Sequence, residues 1–175
     1  MRCIKMITLY KYKADYPYAL HDMRICKIEN LNKSLKLYFE NGYVSNKEPY
    51  QQVSGNISIE EVDYNFCYAY LLSDYGNTGT FIGKKLELLD FFREYTNFSF
   101  EVVTESYGYN RVVYNGYIIL PDKEDFTELT LEIYHFGKII YETEWLIPVC
   151  GITIYSAINN VLIPIKVKRH YAAWL

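Results

Sequence analysis

The sequence predicts a mainly β protein: a two-layer antiparallel β-sandwich, with a partly closed barrel as the alternative, and one short α-helix near residues 87–95. Three observations predict this class. Apolar and polar residues alternate with period two along most of the chain, as half-buried strands require. Turn-forming residues recur at short spacing between those stretches. A helical stripe occurs once. Half of the 175 residues are hydrophobic, ample for a continuous core. With no internal repeat, linker or low-complexity tract, residues 1–175 are expected to form a single β domain.

Asp22 to Glu29 reads as a strand, joined through Asn30-Leu31-Asn32-Lys33 to Ser34–Glu40, where Leu35, Leu37 and Phe39 point one way and Lys36, Tyr38 and Glu40 the other. Asn41-Gly42 tolerates the positive φ of a tight hairpin, so Tyr43 and Val44 are expected to begin a returning strand. Ile57 and Ile59 alternate with Ser58 and Glu60. Between Phe66 and Leu72 both faces are apolar, the pattern of a central strand. Leu88, Phe91, Phe92 and Tyr95 fall at i, i+3, i+4 and i+7, which places the helix and a strand-to-helix transition near Glu87–Asp90. Phe98 to Glu105 and Arg111 to Leu120 form a hairpin around Tyr107-Gly108-Tyr109-Asn110. In Thr127 to Tyr134, Leu129, Leu131 and Ile133 face in and Thr130 and Glu132 face out, and His135-Phe136-Gly137-Lys138 turns the chain into Ile139 to Leu146. Ile152–Tyr155 and Val161–Val167 form a last pair, meeting at Asn159-Asn160.

The apolar runs are far shorter than the roughly 20 residues of a membrane-spanning helix, and the first residues lack the apolar stretch of a signal peptide. A cytoplasmic protein that makes no use of a membrane is expected. Cys3, Cys26, Cys67 and Cys150 are scattered, without a C-x-x-C pair, and are expected to be small buried hydrophobes; no metal site is predicted. Charge is uneven. Residues 1–47 carry nine Lys/Arg against four acids, whereas residues 48–165 carry six against seventeen. Such segregation is expected to be spent largely inside the fold, one sheet face answering another.

No catalytic residue and no cofactor is assigned. Gly76 to Lys85 resembles a phosphate loop, but three residues separate Gly79 from Gly83 and Lys85 follows Lys84, which breaks the P-loop pattern; a flexible turn into the helix is expected. His21, His135 and His170 sit in a strand approach, a turn and a basic tail, and no G-x-S-x-G or H-E-x-x-H occurs. Glu101, Glu105, Glu132, Glu142 and Glu144 are expected on a solvated face, and Asp122-Lys123-Glu124-Asp125 lacks calcium-ligand spacing.

Aromatic residues make up 18% of the chain, with 20 Tyr. Tyr, Asn, Lys and Ile are abundant together, as AT-rich coding produces. The physical reading is displayed Tyr, with large contact area at low entropic cost. The hairpin tip, Tyr107, Tyr109, Asn110 and Arg111, is the predicted partner-binding contact. A pI near 5.7 and the absence of an aromatic-glycine RNA-binding motif weigh against nucleic acid. The expected function is a non-enzymatic interaction protein with a protein partner, accessory or inhibitory. A small-ligand or carbohydrate-binding β domain is the alternative.

Overall fold

Where apolar and polar residues alternate, the computed structural model, which describes residues 16–48, 50–74, 79–121, 127–144, 154–158 and 161–165, shows strands. In chain order they are β1 (Tyr18–Ala19), β2 (Met23–Leu31), β3 (Ser34–Phe39), β4 (Tyr43–Ser45), β5 (Gln52–Ile59), β6 (Tyr68–Asp74), β7 (Phe81–Glu87), β8 (Ser99–Gly108), β9 (Arg111–Ile119), β10 (Thr127–Tyr134), β11 (Ile139–Glu144), β12 (Ile154–Ile158) and β13 (Val161–Ile165). Among the described residues a 3-10 turn spans Tyr64–Phe66, and one α-helix, α1 (Leu88–Glu94), follows β7 directly and buries Leu88 and Phe91, two members of the predicted stripe. No described helix is long and apolar enough to cross a membrane.

Eleven strands form one antiparallel sheet in the order β1-β4-β5-β3-β2-β8-β9-β10-β6-β7, with β11 also paired to β5; the sheet does not close into a barrel. β12 and β13 pair with each other, and Asn159-Asn160 between them lies outside the described residues. The sheet is folded over on itself. From β11 to β8 the order runs through β5, β3 and β2, four steps that span about 19 Å in a flat sheet at ~4.8 Å per strand. Yet the hydroxyls of Tyr107 on β8 and Tyr141 on β11 are 3.1 Å apart. The two halves therefore face each other as two layers, and the fully buried side chains of Leu35, Leu37, Ile57, Ile59, Leu129 and Leu131 belong to one core between them.

Bulges explain how one sheet makes two layers, because an extra residue bends a strand and steepens its twist. On β2 the pairing with β3 slips between Ile25 and Lys27, leaving Cys26 as the extra residue. On β8 the pairing with β9 slips between Val102 and Thr104. Gly116 lies under this second bulge, where a Cβ would stand 1.9 Å from the Glu101 carbonyl oxygen.

Several sequence expectations are corrected. Asn41-Gly42 is not a hairpin: β4 does not pair with β3 but continues along the same edge of β5 after a kink at Gly42, whose φ is +72°. The true returning strand is β5. Cys26 is exposed because the bulge turns it out, whereas Cys67 is buried as expected. Cys3 and Cys150 lie outside the described residues. Lys84 and Lys85 sit on strand β7, not in a flexible turn, while residues 75–78 lie outside the described part. His135–Lys138 turns the chain into β11 as expected, and β11 then crosses to the other layer and pairs with β5 rather than with β10.

Candidate functional site

The β8–β9 hairpin is tighter than predicted. Gly108 pairs with Arg111, so only Tyr109 and Asn110 form the turn, and Asn110 takes the left-handed conformation, φ 55°, that Asn tolerates. Tyr109 is 92% exposed. Arg111 is exposed and donates to the Glu132 carboxylate across the β9–β10 ladder at 2.9 Å. Tyr107 is not at the tip. The bulge at Val102–Thr104 reverses the phase of β8, so Glu105 and Tyr107 turn toward the space between the layers. There the Tyr107 ring lies 5.5 Å from that of Tyr16 and its hydroxyl meets Tyr141; burial, with Tyr114 and Tyr141 nearby, pushes its ionisation far above the usual phenol range. Glu105 accepts the Leu20 N–H at 3.1 Å, and its pKa is raised by burial.

Beside the tip stands a corner, residues 134–137, held chiefly through its backbone. The N–H groups of His135, Phe136 and Gly137 donate to the carbonyls of Asn110 (3.0 Å), Glu61 (3.0 Å) and Glu60 (3.2 Å). Glu61, like Asn110, is left-handed, φ 51°, and a Cβ on Gly137 would meet the Glu60 backbone at 2.7 Å. Strained, tightly packed backbone of this kind keeps a side chain in one place. The side chain it presents is Phe136, 59% exposed, flanked by the half-buried Tyr134 at 5.4 Å and then Phe66, 58% exposed, at 5.8 Å from Tyr134. The imidazole of His135 is buried beneath, its Nδ1 2.9 Å from the Gly137 carbonyl.

The same outer sheet face continues through side chains that lock one another. Tyr70 donates to Glu132 at 2.9 Å, so Glu132 joins Tyr70 to Arg111, and the Tyr70 hydroxyl is held above the usual phenol range by burial and by that carboxylate. Tyr68 lies 6.2 Å from Tyr70, and the Lys85 ammonium stands 3.8 Å from the Tyr68 ring centre, a cation–π contact. The sequence pattern read Tyr68 and Tyr70 as one face of a central strand and located the tip. It gave no weight to Phe66, on the short 3-10 turn Tyr64–Phe66, or to Phe136, on a corner made where β11 crosses to pair with β5.

No family model, curated protein or solved structure matches the chain. The surface itself is the guide to function. Among the described residues no three His, Cys, Asp or Glu side chains group as a metal site. His21 is exposed, with Nδ1 2.5 Å from the Val103 carbonyl; His170 lies outside the described part.

Proposed function

We propose that this chain is a non-enzymatic interaction protein that docks a protein partner through the aromatic corner and the adjoining hairpin tip, acting as an accessory or inhibitory subunit. One observation carries the reading: Phe136 is more than half exposed on a corner whose backbone makes three hydrogen bonds to Asn110, Glu61 and Glu60, with Phe66, 58% exposed on the neighbouring turn, and Tyr109, 92% exposed, on the same side. Large aromatic side chains displayed in water on rigid elements contribute contact area with little ordering entropy, and such anchors carry most of the energy at protein interfaces. A merely unburied core residue would collapse inward, and the hydrogen-bonded corner prevents that.

Phe136→Ala combined with Tyr109→Ala tests the reading. Both side chains are exposed, so stability stays within about 0.5 kcal/mol. Partner recovery from the native host's lysate falls by about tenfold or more, as loss of interface anchors predicts. Undiminished recovery of the same partner by the double variant overturns the proposed contact.

A further inference from the structure

The open end of the sheet offers a second, more specific recognition surface. β7 is the last strand of the order, and among the described residues nothing pairs with its outer edge. Unpaired strand edges are templates for an incoming strand. Natural edges are usually blunted by charge, as Lys84 and Lys85 do here, yet β7 begins with Phe81 and Ile82, 60% and 55% exposed, and bends away only at α1. Its register against β6 sets Phe81, Gly83 and Lys85 opposite Asp74, Leu72 and Tyr70, on the outer face.

Two features of that row state what kind of strand it fits. Gly83 leaves a notch of about 480 Å³ bounded by Tyr70, Leu72, Lys85, Glu128 and Thr130, and a Cβ placed there would meet nothing nearer than Leu72 Cδ1 at 4.0 Å. Glycine in a strand is compensated when a neighbouring strand lays an aromatic ring across it, and β6 supplies only Leu72. Lys85 touches the rings of Tyr68 and Tyr70 and, among the described residues, no carboxylate. Its charge is available to an acid opposite.

We infer that the β7 edge binds an extended segment of a partner protein as an additional antiparallel strand, with an aromatic residue over Gly83 and an acidic residue opposite Lys85. Antiparallel pairing orders the segment as acid, spacer, aromatic, spacer, apolar, the last lying against Phe81. This rests on the reading of the chain as a protein-binding module but uses a surface away from the corner.

The probe is the heptapeptide Thr-Glu-Thr-Trp-Thr-Val-Thr, titrated into the full chain and followed by backbone amide NMR shifts. Shifts concentrated on Phe81–Glu87 are expected. Gly83→Val, which fills the notch without strain and suits a strand, weakens binding by about tenfold or more, and Lys85→Glu weakens it by about fivefold. A peptide with Lys in place of Glu reverses the preference between native chain and Lys85→Glu. Equal binding by Gly83→Val, no binding beyond that of the scrambled peptide, or shifts confined to Phe136 and Tyr109 overturns the inference. The Phe136→Ala/Tyr109→Ala chain binds this peptide normally, so failure of the corner and failure of the edge are read separately.

Discussion

Tyr114 sits in the core with its ring fully buried, and among the described residues its hydroxyl, beside that of Tyr107, makes no well-formed hydrogen bond. A buried hydroxyl left unsatisfied costs about 1–3 kcal/mol, and deleting it restores most of that. Tyr114→Phe is therefore expected to raise the midpoint of urea unfolding, by about 1 kcal/mol in stability; a loss of stability instead would show that the hydroxyl is bonded in solution. Glu105, across the same space, has a pKa raised chiefly by burial, so the folded state holds its proton more tightly than the unfolded chain. Stability from this group is greatest in acid and falls as pH rises from the ordinary carboxylate range through the raised value. His21, whose pKa is raised first by the Val103 carbonyl and then by Asp22, adds a slope of the same sign at higher pH. Glu105→Gln keeps an acceptor for the Leu20 N–H and removes the titration. Urea unfolding from pH 4 to 7 should show a flatter stability profile in the variant, with the gap widening toward neutral pH; parallel profiles would mean that Glu105 is not desolvated. The cysteines separate by the same physics: the Cys67 thiol is buried and pushed up to about 11, whereas Cys26 is exposed at a bulge. Brief iodoacetamide treatment followed by peptide mass mapping should modify Cys26 and spare Cys67 until the protein is unfolded.

Glycines at the element scale hold bends that other residues would break. Gly137 lets the corner 134–137 lie on Glu60, and its replacement by Ala puts a Cβ 2.7 Å from the Glu60 backbone. Gly137→Ala is expected to destabilise the fold by about 2 kcal/mol or more, because backbone rather than a flexible side chain must move. A change within 0.5 kcal/mol would show that the corner yields, and with it the rigid display of Phe136. How much of the elements was legible follows from the same bends. Strands β3 and β10 were read to within a residue or two because their alternation is uninterrupted, and α1 was found from its stripe. Tyr107, expected at the tip, and Glu105, expected on a solvated face, both point inward because a bulge adds one residue without changing the pattern in the sequence, and every side chain beyond it flips. Asn41-Gly42 misled for a related reason, since a residue pair suited to a hairpin also suits a kink within one long edge. Of the candidate site, the tip residues Tyr109 to Arg111 were visible as turn chemistry. Phe136 was not, because its exposure depends on β11 leaving for the other layer.

For the whole molecule, charge segregation resolves partly into contacts between distant segments. Arg24 pairs with Glu101 at 3.3 Å and Lys36 with Glu142 at 2.8 Å, so bases of the first segment answer acids of the second. These pairs are largely surface features, each worth at most about 1 kcal/mol, and the layers are held by their apolar core. Unfolding should then follow the ladder pattern. β9 lies between β8 and β10 with Val112, Tyr114 and Ile118 buried and long registers on both sides, whereas β7 has one partner among the described residues and mostly exposed side chains. Amides at the centre of such a sheet exchange only through global opening, and amides of an edge through local fraying. Native-state hydrogen exchange read by mass spectrometry should therefore find peptides from Arg111–Ile119 the slowest and peptides from Phe81–Glu87 faster by about a hundredfold or more. The ratio bears on function as well as on stability. An edge that exchanges quickly is open to an added strand, and the same measurement with the heptapeptide present should slow Phe81–Glu87 while leaving Arg111–Ile119 unchanged. If β7 were already as protected as β9 in the free chain, its outer edge would be covered in solution and no strand could add there.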